Sequence, residues 1–92
     1  MGAAYWWEIT KDHIADESRP EGTNSNAKGV AGPEDGDRAI TANPAHFEMY
    51  DDDCILYYEG MIYGKWEGFE PIDDFGQWNA GCVRIKINGE WV

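Results

Sequence analysis

Basic residues are scarce in this chain. Its 92 residues include 18 Asp and Glu against 7 Lys and Arg, which gives a formal net charge of −11. Phosphate contacts to nucleic acid need clustered Lys and Arg, and anionic membrane surfaces attract polybasic segments. The sequence therefore predicts no direct contact with nucleic acid and no membrane binding. A basic protein surface is the partner that such a charge favours.

Cysteines and long apolar runs are also scarce. The two cysteines, Cys54 and Cys82, are too few for a disulfide scaffold, and the sequence leaves open whether they pair. No stretch approaches the roughly 20 apolar residues of a membrane span. Residues 1–7 lack the basic region of a signal peptide. We expect a cytoplasmic protein with free thiols.

Groups that support catalysis or hold a cofactor are sparse. The two serines, Ser18 and Ser25, lie outside any nucleophile motif, and the Gly-rich segments lack the lysine of a phosphate-binding loop. Four soft ligands match no zinc-finger or zinc-ribbon spacing; they are His13, His46, Cys54 and Cys82. The aspartates at 51–53 suit a solvated turn better than a calcium cage. The sequence predicts no enzyme, no cofactor and no metal.

Aromatic residues, in contrast, are abundant. Five Trp, five Tyr and three Phe make up 14% of the chain, and each can bury roughly 150–250 Å². Disordered acidic tails are poor in such residues, so we predict one folded domain over residues 1–92. Residues 18–45 are a long loop-rich segment within it, because Gly, Pro and Asn recur there. Whether this segment is ordered is left open.

Apolar residues alternate with polar ones in several short segments, which is typical of β-strands. The pattern predicts strands at residues 5–10, 47–50, 54–63 and 82–87, with a short return at 90–92 after the Asn88-Gly89 turn. It also predicts helical turns at residues 12–15, 37–42 and 70–76. The predicted fold class is α+β and β-rich: an antiparallel sheet of four to five strands, one or two short helical turns and a long loop.

Acidic residues are concentrated in one part of the chain. Residues 46–80 contain nine acidic residues and one basic residue, Lys65. These nine are the predicted partner-binding residues: Glu48, Asp51, Asp52, Asp53, Glu59, Glu67, Glu70, Asp73 and Asp74. The alternative is that they only solvate turns and wet faces, as charge runs often do. Carboxylates on a rigid scaffold can instead occupy positions where DNA phosphates would lie in a basic groove.

Two parts of the chain resemble small acidic hypothetical proteins encoded by phages and prophages. One is ITKDHIAD at 9–16, followed by GTN at 22–24; the other is FEPIDDFG at 69–76, followed by NAGC at 79–82. The resemblance implies a bacterial host cytoplasm as the setting. It also implies a role in host takeover, for which anti-CRISPR proteins are one functional class.

Charge and resemblance together predict an inhibitor that works by binding. The expected function is that of an acidic phage protein that occupies a basic nucleic-acid-binding surface of a host protein, such as a CRISPR effector, in the manner of a DNA mimic. The alternative is a structural or assembly component of a phage particle with no inhibitory role. The oligomeric state is left open.

Overall fold

The strands of this chain form one antiparallel sheet. The computed structural model describes residues 2–14, 26–76 and 81–92, and all elements named here lie within those ranges. They are β1 (Tyr5–Asp12), β2 (Ala31–Gly32), β3 (Ala45–Tyr50), β4 (Leu56–Gly64), α1 (Glu70–Phe75), β5 (Arg84–Ile87) and β6 (Glu90–Trp91). The order across the sheet is β2–β1–β4–β3–β5–β6. The two-residue strands β2 and β6 therefore form its edges.

One face of the sheet is covered and the other is open. Successive side chains of a strand point to opposite faces, and β3 follows this rule, with Ala45, Phe47 and Met49 buried. β4 alternates in the same way, with Tyr58 and Ile62 buried. We call the face that carries these five residues the covered face. The opposite face, to which the alternate residues of the same strands point, is the open face.

The helix α1 packs on the covered face. It begins with Pro71 in its first turn, where proline costs no hydrogen bond. It ends at Gly76, whose φ of 58° is a conformation that glycine adopts readily. Phe75 packs edge-on against Trp7 and Tyr58, with ring centroids 5.6 and 5.2 Å apart. A helix of six residues is marginal by itself, so these contacts stabilise it.

The predicted α+β class, with one or two short helical turns, is wrong, although its β-rich, antiparallel character is confirmed. Within the described ranges the chain has six strands rather than four to five, and one short helix. Of the three predicted helical turns, the one at residues 70–76 is confirmed as α1. The other two have different structures.

The helical turn predicted at residues 12–15 is replaced by the end of a strand. β1 runs through Asp12, and the next residue, His13, donates from its backbone nitrogen to Tyr57 O at 2.8 Å. Thr10 caps no helix; its hydroxyl lies 3.4 Å from Glu59 O on the neighbouring strand. Pairing with the long strand β4 outweighs the local capping signal. Residue 15 lies outside the described residues.

The turn predicted at residues 37–42 is a single hydrogen-bonded turn and not a helix. Asp37 accepts from Ala39 N at 2.9 Å with its side chain and from Ile40 N at 3.1 Å with its carbonyl. The Asp37 side chain thus closes the turn locally, as short polar side chains do outside helices. These two hydrogen bonds satisfy the backbone nitrogens of Ala39 and Ile40, so the chain does not continue into a helix.

Part of the predicted loop at 18–45 is a strand. β2 pairs with β1, where Gly32 lies opposite Trp7. A Cβ on Gly32 would lie 2.6 Å from the Trp7 ring, so glycine is required where the large indole passes. This strand has two residues and no alternation, which is why periodicity does not reveal it. Residues 18–25 of the predicted loop lie outside the described residues.

The hairpin of β3 and β4 confirms the strands predicted at 47–50 and 54–63, and its backbone approaches its neighbours closely at Gly60. A Cβ on Gly60 would collide with the backbone oxygen of Glu8 on one side and with the Phe47 ring on the other. The turn at Asn88-Gly89 is also confirmed, with φ values of 50° and 84°. Both features follow from local sequence rules for strands and tight turns.

Replacement of Gly60 by alanine tests the tight packing between β1, β3 and β4. We expect Gly60→Ala to lower the free energy of unfolding by about 3 kcal/mol, because one of the colliding atoms belongs to the backbone and cannot rotate away. Gly89→Ala is the control: nothing lies within 4 Å of its Cβ, so only the positive φ costs about 1 kcal/mol. Urea unfolding followed by circular dichroism measures both, and equal losses would contradict the packing argument.

Candidate functional site

The nine predicted partner-binding carboxylates do not form one continuous surface. Glu48 and Glu59 lie on the open face, directly opposite each other on β3 and β4. Asp51, Asp52 and Asp53 form the turn between these strands. The remaining four lie on or just before α1, which packs on the covered face; they are Glu67, Glu70, Asp73 and Asp74. The acidic side chains are thus spread over three parts of the domain.

Asp51 is a structural residue of its turn. It is 8% exposed, and its Oδ1 accepts from the backbone nitrogens of Asp53 and Ile55, both at 2.9 Å. The backbone hydrogen bond from Ile55 lowers the pKa of the Asp51 carboxyl most; burial opposes this, and hydrogen bonds from Tyr57 and the Asp53 backbone reinforce it. This carboxylate satisfies backbone donors of its own chain, so it is poorly placed to meet a partner.

Glu70 and Asp74 also stabilise the fold. Glu70 accepts from Glu67 N at 2.5 Å and from Gly68 N at 2.6 Å, which orders the residues that lead into α1. Asp74 Oδ2 accepts from the Tyr5 hydroxyl at 2.7 Å and from the indole nitrogen of Trp7 at 3.0 Å. The second bond satisfies the polar atom of a buried tryptophan.

Three carboxylates converge around Tyr5. Burial, the hydrogen bond to Asp74, and the charges of Asp74, Glu70 and Asp35 together raise the pKa of the Tyr5 hydroxyl. Asp35 belongs to the loop after β2 and was not among the predicted residues. Its contribution extends the negative potential of α1 across to that loop.

Glu59 lies between two histidines on the open face. Its Oε2 is 2.5 Å from His13 Nε2 and its Oε1 is 2.9 Å from His46 Nε2. Burial raises the pKa of Glu59, but the hydrogen bonds from both histidines and the charges of His13 and Lys11 outweigh it and lower the value. The cluster links β3 and β4 through side chains to the residue that follows β1. Sequence spacing gave no sign of it, because the three residues lie far apart in the chain.

The two histidines direct their Nε2 atoms at the same carboxylate, that of Glu59, at 2.5 and 2.9 Å. These hydrogen bonds occupy both oxygens of that carboxylate. Within the described part of the chain, the one group of three ligand atoms within 4.8 Å of each other is Asp51–Asp53. Asp51 is already bound to its own turn, so we assign no metal site there.

The remaining carboxylates are exposed and are not neutralised by Lys or Arg. Among the described residues, ion pairs within 4.0 Å join Glu59 to the two histidines, and none involves Lys or Arg. Asp52, Asp53, Glu67 and Asp73 are exposed. They are therefore the members of the predicted set best able to meet the cations of a partner.

Charge on the open face is balanced, in contrast. A row of paired residues crosses four strands in the order Lys86, Glu48, Glu59, Lys11. The two glutamates alone would repel each other, and the flanking lysines offset that repulsion. Among the described residues, the excess negative charge therefore lies mainly outside this face, at the β3–β4 turn, around α1 and in the loop after β2.

An aromatic corner on the open face was missed by the sequence analysis. The rings of Tyr50 and Trp91 lie 4.9 Å apart at an angle of 59°, and Lys86 Nζ lies over both. The signal was available: a two-residue turn at Asn88-Gly89 pairs Lys86 with Trp91. Two other aromatic side chains have partners within the fold: Tyr63 stacks on Trp6, and the indole nitrogen of Trp66 donates to Asn43 O.

Acid titration tests the structural role of Asp51. Folding lowers the pKa of the Asp51 carboxyl. The ionised carboxylate therefore stabilises the folded protein at pH values above its pKa in the unfolded chain, about 3.9. This stabilisation is lost as the pH falls through the lower pKa of the folded state. We expect the Tm of the wild type to fall more steeply than that of Asp51→Asn between about pH 6 and pH 2. Asp52→Asn is the matched control, and an equal effect in both variants would contradict the assignment.

Thiol labelling tests the burial of the cysteines. Both are free thiols in the structure; Cys54 is exposed, whereas Cys82 is buried and burial, together with the charge of Asp51, raises the pKa of its thiol to about 12. We expect a thiol reagent to modify Cys54 rapidly in the native protein and Cys82 only after unfolding. Cys54→Ser should abolish the rapid phase. Rapid labelling that survives in this variant would show that Cys82 is accessible.

Comparison with protein-family models, with curated proteins and with solved structures finds no match to this chain. Within the described residues, no helix has the length and apolar character needed to cross a membrane.

Proposed function

We propose that this protein is a binding inhibitor that occupies a basic, nucleic-acid-binding groove of a host protein. The observation that carries the proposal is the set of exposed carboxylates without Lys or Arg partners among the described residues. Nucleic-acid-binding surfaces present clustered Lys and Arg to phosphates, and unpaired carboxylates are the complementary charges. No catalytic residue and no cofactor is part of the proposal.

A groove fits this distribution better than a flat surface. Asp52 and Asp53 lie at the turn that ends the central hairpin, whereas Glu67 and Asp73 lie on the side of α1. One flat surface would contact only one of these two groups of carboxylates. A groove wide enough for nucleic acid has two walls, so it can contact both groups at once. A domain with charge on several sides can in this way imitate a duplex.

The resemblance to phage proteins supplies the setting. An inhibitor of this kind would act in the bacterial cytoplasm, and a CRISPR effector is a host complex with a positively charged nucleic-acid channel. The proposed class is therefore that of a DNA-mimic anti-CRISPR protein. Binding should be strongly dependent on ionic strength, because surface charges are screened within about 10 Å at 0.1 M salt.

A structural or assembly role in a phage particle is the second candidate. It is supported by exposed apolar side chains near the β6 edge, where Trp91 and Val92 are 50% and 58% exposed and Phe69 is 39% exposed. Such edges can pair with further chains. Light scattering at high protein concentration separates the two candidates: a sharp monomer at every salt concentration argues against assembly.

Charge reversal tests the groove. The tagged protein is used to capture a nucleic-acid-binding complex from a CRISPR-bearing bacterial lysate, and duplex DNA is then added as competitor. Two double variants, Asp52→Lys/Asp53→Lys and Glu67→Lys/Asp73→Lys, are compared with Glu8→Lys/Glu90→Lys, which changes the net charge equally. We expect each of the first two to weaken binding at least about tenfold, and the third much less, because interface charges act locally.

Each outcome of that comparison is informative. Equal weakening by all three variants would show that net charge alone explains the loss of binding, and it would argue against a defined site. Weakening by one test variant alone would replace the groove with a flat contact. Binding that DNA does not displace, or that persists at high salt, would contradict the mimic.

A further inference from the structure

The open face holds a cation between two aromatic rings. Lys86 Nζ lies 4.7 Å from the ring centroid of Trp91 and 5.5 Å from that of Tyr50. These distances are within the roughly 6 Å at which a cation is attracted to an aromatic face. Trp91 is 50% exposed, so the corner opens to solvent. The corner formed by Tyr50 and Trp91 is therefore a site for an ammonium group, filled by a residue of the same chain.

A carboxylate stands beside this corner. Glu48 lies directly opposite Lys86 on β3, where paired side chains have Cβ atoms about 5 Å apart. After burial, the charge of Glu48 and a hydrogen bond to it raise the pKa of the Tyr50 hydroxyl. The two aromatic rings provide the contact that a lysine or arginine side chain needs, and the carboxylate of Glu48 lies opposite the lysine that now fills the corner.

Lys86 has an alternative position within reach. If its ammonium leaves the corner, the carboxylate of Glu48 opposite it accepts the charge. Exchange of Lys86 for another cation therefore replaces one contact by two, because the incoming group gains the rings and Lys86 gains Glu48. Lys86 is half-buried, and its flexible side chain can leave the corner because Glu48 offers it a second partner.

We propose that the Tyr50–Trp91 corner receives a lysine or arginine side chain of the basic partner, with Lys86 as the internal group that this side chain displaces. The inference rests on the proposed function, since it names a contact within the same complex. It adds an aromatic anchor to an interface otherwise described by charge, and aromatic residues are enriched among the side chains that dominate binding energy.

A short oligolysine peptide at low salt is the probe, with binding measured by calorimetry. Lys86→Met removes the internal competitor and keeps an apolar stem. Arg84→Met is the matched control, because it makes the same charge change two residues away on the same face of β5. We expect Lys86→Met to tighten peptide binding about fivefold and Arg84→Met by much less.

The excess tightening must depend on the aromatic ring. In a Trp91→Leu background, Lys86→Met and Arg84→Met should have equal effects. If Lys86→Met and Arg84→Met act equally in the wild-type background, or if their difference persists without Trp91, the corner does not receive the cation.

Nuclear magnetic resonance of the wild-type protein provides a test that needs no substitution. Added peptide should shift the indole N–H resonance of Trp91. Trp6 is the internal control, because Arg38 covers its ring and its indole nitrogen donates to Ile40 O at 2.7 Å. Equal shifts at both indoles, or none at Trp91, would overturn the assignment.

The two proposals fail in different ways. If the peptide binds and the charge reversals at the turn and at α1 weaken it, while Lys86→Met matches Arg84→Met, only the aromatic corner is refuted. If the wild-type protein does not bind oligolysine at low salt, the basic partner is refuted and the corner with it.

Discussion

Trp7 joins the helix to the sheet, and most of the structure depends on that contact. Its ring meets Phe47 of β3 and Phe75 of α1, and its indole nitrogen donates to Asp74. The helix is too short to persist alone, so it is held in place by this apolar contact and by one hydrogen bond from a buried donor. Because α1 lies on one face, the other face remains open, and the two faces acquire different chemistry.

Acidic residues consequently divide into two kinds. Asp51, Glu70 and Asp74 satisfy donors of their own chain, so their charge is tied to the fold. Exposed carboxylates such as Asp52 and Asp73 have no such role, and their repulsion lowers stability without a compensating internal contact. This loss of stability is explained if a cationic partner neutralises the exposed carboxylates. The acidity of the chain therefore serves both folding and, on our proposal, binding.

The open face has a different balance, in which Lys86 and Lys11 flank the pair Glu48 and Glu59 and aromatic rings lie beside them. At its centre, Glu59 and its two histidines add side-chain links to the backbone pairing of β3 and β4. The corner of Tyr50 and Trp91 lies toward the β6 edge, where fewer contacts restrain it. A cross-linked centre with an accessible aromatic edge suits the docking into a preformed groove that we propose.

Short-range patterns were enough to predict several elements. Alternation and the acidic turn predict the β3–β4 hairpin, Pro71 and Gly76 bound α1, and Asn88-Gly89 predicts the return to β6, because each signal lies within a few neighbouring residues. Non-local pairing decided the rest: β4 holds β1 in strand conformation through Asp12, and a two-residue strand pairs at Gly32 beside Trp7. The roles of Asp74 and Glu59 likewise depend on partners up to 69 and 46 residues away. The sequence by itself determined the charge, the strand character and the local turns. Only the tertiary structure decided which carboxylates are bound internally and which are exposed, because that depends on neighbours that no local pattern specifies.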